Sequence, residues 1–187
     1  MIPLLALAQD VQDFMESRNW RFCIIGGIAL QRWGQPRVTT DIDITLFTGF
    51  FKEGPYIEEV LKHYKPRRED AAQFALSSRV LLVSGGEIGI DISLGAIPFE
   101  ESAIQRATYH SYAPNINLKT CSAEDLIVFK AFADRTKDWA DVESVVMRQS
   151  VLEWEYIFEQ LKPLAELKDE PEIVDRLITV KKKLYRP

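Results

Sequence analysis

No apolar run in this chain approaches the roughly 18 residues that a membrane-spanning helix needs, so the sequence predicts no membrane span. Histidine is scarce. His63 and His110 are the only two in 187 residues, which gives little footing to a histidine-rich zinc site or a Ser-His-Asp triad. Cysteine is as rare: Cys23 lies in an apolar run and Cys121 just before a helical stretch, so they read as buried or reduced thiols, with no disulfide framework. Positive charge is short as well, and a net charge of −5 argues against a broad nucleic-acid surface. There is no internal repeat and no low-complexity tract. The opening MIPLLALAQDVQDFMESRNW carries little positive charge, and Leu4, Leu5, Ala8, Val11 and Phe14 recur at helical spacing. That pattern predicts an amphipathic helix rather than a signal peptide, and with it a cytoplasmic protein.

What the chain does have is enough apolar material for a core, 47% of its residues, and a length that suits one or two small domains. Its most informative stretch is RFCIIGGIALQRWGQPRVTTDIDITLF. Asp41 and Asp43 alternate with Ile42 and Ile44, so in a strand the two acids share one face while the isoleucines enter a core. Two carboxylates about 7 Å apart along a strand face suit a pair of hard cations. Alone, such a pair also reads as a strand ending in two solvated acids. Upstream, however, the apolar run RFCII ends at Gly26-Gly27 and a helix-like IALQRW follows. A glycine turn opening a helix presents backbone N–H groups suited to phosphate. A phosphate cradle ahead of a metal-binding acid pair is the layout a nucleoside triphosphate requires.

Further along, YIEEVLKHYK reads as a helix, RVLLVSGG as a short buried strand, and GIDISLG as its hairpin partner. EESAIQRA predicts a short helix, and the stretch from His110 to Leu118 looks extended. From Ser122 the pattern is helical throughout, in SAEDLIVFKAFADR, DWADVESVVMRQ, LEWEYIFEQLKPLAEL and EIVDRLITVKKKL. Ser122 followed three residues later by Asp125 is a helix-capping pattern. The expectation is an α+β fold, a small mixed β-sheet core with flanking helices over residues 1–120, followed by a C-terminal helical bundle over 121–187.

Gly26, Gly27, Arg37, Thr39, Asp41 and Asp43 resemble the first motif of the DNA polymerase β-type nucleotidyltransferases. The form Gly-Gly-x-Ala-Leu followed by Arg-x-Thr-x-Asp-x-Asp looks most like the AbiEii-like and MenT-like minimal nucleotidyltransferases, many of which are toxins of toxin–antitoxin pairs. The wider superfamily more often has Ser where Gly27 stands. SLGAIPFEESAIQRA and EDLIVFKAFADRTKDWADVE resemble later segments of the same branch, and the likeness spans roughly Ile25 to Glu143.

The resemblance implies a transfer of a nucleoside monophosphate from a nucleoside triphosphate to an acceptor hydroxyl. Asp41, Asp43 and Asp91 would hold Mg²⁺, with Mn²⁺ as an alternative. Gly26 and Gly27 would hold phosphates, and Lys130 would neutralise the triphosphate, with Asp138 orienting either that lysine or the nucleotide. Arg37 is placed either on a phosphate or in an ion pair beside the acids. Read without the resemblance, Asp91 is a hairpin acid in solvent, Lys130 a lysine snorkelling from an apolar helix face, and Asp138 and Asp141 are caps of the next helix. Arg135 and Asp141 read as packing or surface pairing.

The acceptor stays open among tRNA, a protein side chain and a small hydroxylated molecule, with an antitoxin protein as a further partner of the toxin reading. Two basic groups, Lys62, Lys65, Arg67 and Arg68, and Arg176, Lys181, Lys182, Lys183 and Arg186, are candidate RNA patches, although each also reads as a solvated face or tail. Two rival functions are a nucleotide-sugar glycosyltransferase, for which the residues before Asp41 leave too little room, and an inactive nucleotidyltransferase fold kept as a binding module.

Overall fold

Alternation of apolar and polar residues builds a seven-stranded mixed sheet within residues 2–185, the part of the chain that this computed structural model describes. The strands are β1 (Phe22–Ile24), β2 (Asp41–Phe47), β3 (Lys65–Pro66), β4 (Val80–Gly85), β5 (Ile88–Gly95), β6 (Thr108–Ala113) and β7 (Ile116–Thr120). Their order is β3-β4-β5-β2-β1-β7-β6. β2 is parallel to β5 and β1 to β7, and the other neighbours are antiparallel. The α+β class expected from the sequence is found. So is the β4–β5 hairpin, where Gly85 pairs with Ile88 across a two-residue turn. Gly86 takes φ +63°, as the first position of a primed hairpin turn demands.

Ile42, Ile44, Ile90 and Ile92 are fully buried on one face of β2 and β5. Against that face pack α1 (Ile2–Glu16), α3 (Gly54–His63) and α4 (Ala71–Ser78), through Leu4, Leu5, Ala8, Val11, Ile57, Val60, Ala71 and Ala75. Each buried isoleucine contributes about 1.5–3 kcal/mol. A one-residue slip of β2 would put Asp41 and Asp43 into this core instead, so the register is strongly fixed. The opposite face therefore carries the acids by necessity.

The chain divides into two compact units. The first comprises the residues up to Ile28 together with Val38–Cys121, and includes α5 (Pro98–Arg106). The second comprises Ala29–Arg37 together with the residues from Ser122 onward. α2 (Gly26–Trp33) thus starts in the first unit and ends in the second. The second unit holds α6 (Ala123–Ala133), α7 (Thr136–Arg148), α8 (Trp154–Lys168) and α9 (Glu172–Leu184). Ser122 caps α6: its Oγ accepts the Asp125 N–H at 3.1 Å and its hydroxyl donates to Asp125 Oδ2 at 2.7 Å. The end of α2 is satisfied inside this unit. Gln149 Nε2 donates to Trp33 O at 2.7 Å, Arg148 Nη1 to Gly34 O at 2.6 Å, and the Gln35 N–H to Ser144 Oγ at 3.1 Å. No helix among the described residues is long and apolar enough to cross a membrane. Arg186, the last member of the C-terminal basic group, lies outside the described residues.

Candidate active site

In the parallel pair of β2 and β5, Asp43 stands opposite Asp91 and Asp41 opposite Gly89. Residues facing each other across parallel strands point to the same side, so the three carboxylates share the face away from the isoleucines. The first turn of α2 closes on them. A Cβ added at Gly26 would lie 1.9 Å from Asp43 Oδ2, and one at Gly27 would lie 2.4 Å from Thr39 Oγ1. Gly26 also takes φ +60°, which side chains resist. Backbone shape therefore demands glycine at position 26, and close approach of neighbouring side chains crowds both positions. The Gly27 N–H points at Asp43 Oδ2 at 3.4 Å, setting the positive end of α2 beside a carboxylate.

Asp41 Oδ2 accepts the Thr40 hydroxyl at 3.0 Å. Asp91 accepts a charged hydrogen bond from Arg67 Nη2. Burial pushes the Asp91 carboxyl above its ordinary value, the Arg67 guanidinium pulls it back, and the charge of Asp41 adds to the rise. Three carboxylates are thus gathered on this face, with the Arg67 guanidinium on Asp91. As the side chains stand, no three or more His, Cys, Asp or Glu groups among the described residues are gathered closely enough to hold a metal ion. The donor set nonetheless fits a hard divalent cation in kind: carboxylate oxygens only, on one face of adjoining strands.

The other candidates form a second cluster, inside the helical unit. Lys130 is buried on α6, and its Nζ lies 2.8 Å from Asp138 Oδ1 and 2.8 Å from Asp141 Oδ2. It is held by charge and does not snorkel. Arg37 grips Asp141 with two nitrogens, Nε at 2.9 Å and Nη2 at 2.8 Å, and Arg135 pairs with Asp138. Burial works to raise both carboxyls. Hydrogen bonds from Arg135 and Lys130 at Asp138, and from Arg37 and Lys130 at Asp141, outweigh it and hold both below the usual carboxylate range. Three cations thus surround these two anions. α7 begins at Thr136, so Asp138 and Asp141 lie inside the helix, and neither is its N-cap, which is Arg135.

The sequence matches no protein-family model, and a comparison with curated proteins likewise returned no match. Solved structures do match. An antigenic nucleotidyltransferase-like protein from Paracoccidioides brasiliensis superposes with a TM-score of 0.54 at 17% identity, over 98% of this chain and 94% of that one. The fold is that of the nucleotidyltransferases. ANT(2")-Ia in complex with adenylyl-2"-tobramycin matches with a TM-score of 0.50 at 18% identity, over 89% of this chain and 96% of that one.

Of the residues singled out in the sequence, Gly26, Gly27, Asp41, Asp43 and Asp91 meet on the sheet, while Lys130, Asp138 and Arg37 meet in the helical network. Sequence reasoning undervalued Asp141, which is buried and doubly paired. It also misread Arg67, grouped there with surface cations and found here on Asp91. Gly89, two residues before Asp91 and so on its face, was the available signal for a crowded spot.

Proposed function

We propose that this protein is a nucleotidyltransferase. An acceptor hydroxyl attacks the α-phosphorus of a nucleoside triphosphate, its oxygen bonds to that phosphorus as the bond to the β-phosphate oxygen breaks, pyrophosphate departs and the hydroxyl proton passes to water. The observation that carries the reading is the in-register placement of Asp43 opposite Asp91, with Asp41 on the same face and the Gly-Gly start of α2 packed onto Asp43. Asp41, Asp43 and Asp91 would hold divalent magnesium or manganese, which when bound supplies charge stabilisation at the attacking and leaving oxygens. The N–H groups that open α2 suit the terminal phosphates of the nucleotide. Lys130 and Asp138 enter as the pair that the resemblance assigns to the triphosphate, and the cations gathered around them support that role.

For the acceptor, the net charge of −5 favours a small hydroxylated molecule over a long nucleic acid. The structural neighbour solved in complex with adenylyl-2"-tobramycin favours the same choice. The toxin reading rests on the Gly-Gly-x-Ala-Leu and Arg-x-Thr-x-Asp-x-Asp motifs. It is tested by induced expression in a bacterial host, where growth should slow and Asp43→Ala should relieve it. The transfer itself is tested by incubating the protein with each of the four triphosphates, Mg²⁺ and a pool of metabolites and RNA, followed by mass spectrometry. Nucleotide-labelled product with wild type and none with Asp43→Ala is expected. Absence of product and of pyrophosphate release in every mixture, with no binding of triphosphate and Mg²⁺ by calorimetry, would leave the inactive binding module as the reading.

A further inference from the structure

Arg67 follows the two-residue strand β3 and is anchored by its own backbone, whose N–H donates to Leu82 O at 3.1 Å. Its guanidinium reaches back across β4 to the acid face, where Nη2 bonds Asp91 Oδ1. A Cβ added at Gly89 would stand 2.4 Å from Asp41 Oδ1 and 2.6 Å from Arg67 Nη1, so carboxylate and guanidinium share the space over that glycine. The seat is thus built from three strand positions: Asp41, the glycine opposite it, and Asp91 two residues further along β5. About one third of each side chain in the Arg67–Asp91 pair is exposed, so the pair is open to exchange with solvent ions.

We propose that Arg67 is an exchangeable counter-ion of the acid face, competing with the divalent cation for Asp91 and Asp41. The inference rests on the nucleotidyl-transfer reading and assigns to that site a residue that regulates its loading. In the cation-free protein, Arg67 offsets carboxylates that would otherwise repel one another along the strands. A divalent cation brings twice the charge but must first displace the guanidinium, so the apparent affinity for the cation is set by an exchange and not by an empty site. Anchored through the β3–β4 pairing, the displaced guanidinium remains beside the reaction face, where an anionic group of the nucleotide or acceptor is its next partner.

The test is Mn²⁺ binding without nucleotide, followed by the paramagnetic resonance of the free ion at low ionic strength. Wild type, Arg67→Gln, Arg67→Lys and Asp43→Ala are compared, each checked for wild-type circular dichroism. A partly exposed ion pair shifts an equilibrium by a factor of about 2–5, so Arg67→Gln should bind Mn²⁺ about that much more tightly. Arg67→Lys, which keeps a charge but loses the fork, should fall between. The advantage of Arg67→Gln should shrink as salt rises. Equal or weaker binding by Arg67→Gln, with Asp43→Ala still abolishing it, would overturn the role of Arg67 and leave the transferase reading standing. No Mn²⁺ binding by any of the four proteins would overturn both.

Discussion

The acid face of the sheet and the ion-pair network of the helices are built from the same side-chain types with opposite outcomes. On the sheet, Asp41, Asp43 and Asp91 share one face, Arg67 bonds Asp91 in a pair about one-third exposed, and Asp91 is pushed toward its neutral form. In the helices, Asp138 and Asp141 are buried among Lys130, Arg37 and Arg135 and are pulled firmly toward the ionised form. The first arrangement costs something as structure, because like charges face one another along adjoining strands. In the second, both carboxylates are paired. A carboxylate that the fold leaves under-neutralised is available to bind a cation, whereas one tied to two cations already serves the packing.

The sharpest way to break this contrast is Asp43→Ala. Transfer should fall by about three orders of magnitude, as for loss of one electrostatic group at a transition state, while the unfolding midpoint in urea stays level or rises. A variant that unfolds would move Asp43 into the structural class. Lys130→Met should behave in the reverse way. Two buried carboxylates lose a shared partner, and the helical unit should lose about 2–4 kcal/mol in denaturant titration. If KM for the triphosphate also rises and kcat falls in the folded fraction, Lys130 acts on nucleotide as well as on structure.

Gly26→Ala probes the seam between α2 and the acid face. A left-handed alanine costs about 1–2 kcal/mol, and its Cβ would press on Asp43 Oδ2. Both stability and transfer should therefore drop, whereas Gly86→Ala, in the hairpin turn, should lower stability alone. The smallest effect is in pH. Asp138 and Asp141 have lowered values in the fold, so the stability they confer is complete above the unfolded carboxylate range, about pH 4, and is lost as pH falls through their folded values. Thermal midpoints between pH 6 and pH 3 should decline in wild type, and Asp141→Asn should flatten that decline at the cost of a lower midpoint at pH 6.

Much of this was legible in the residues. Period-two alternation around Asp41, Asp43 and Asp91 announces strands with acids on one face, and Ser122 with Asp125 announces the start of α6. α4 was not foreseen, because its buried side chains are Ala71 and Ala75. Small residues make a weak apolar stripe, and the exposed Leu76 blurs its period. Arg67 escaped for another reason. Its partner lies 24 residues away, and the two meet only through the pairing of β3 with β4 and β4 with β5, which a charge count cannot show. Asp141 escaped because its depth depends on Arg37, 104 residues earlier.

The route of the chain through α2 bears on how such a protein can be cut and recombined. Ala29–Arg37 is an excursion: the strand before it and the strand after it belong to one unit, while the excursion itself packs with helices encoded almost a hundred residues later. Neither unit is one uninterrupted stretch of gene. A fragment stopping at Cys121 would carry Ala29 and Leu30, both fully buried in the whole protein, without the helices of their own unit. Exchange of the helical unit between relatives at a single crossover would strand the same nine residues with foreign packing. A swap of the helical unit therefore needs two junctions, so that Ala29–Arg37 travels with the helices of its own unit.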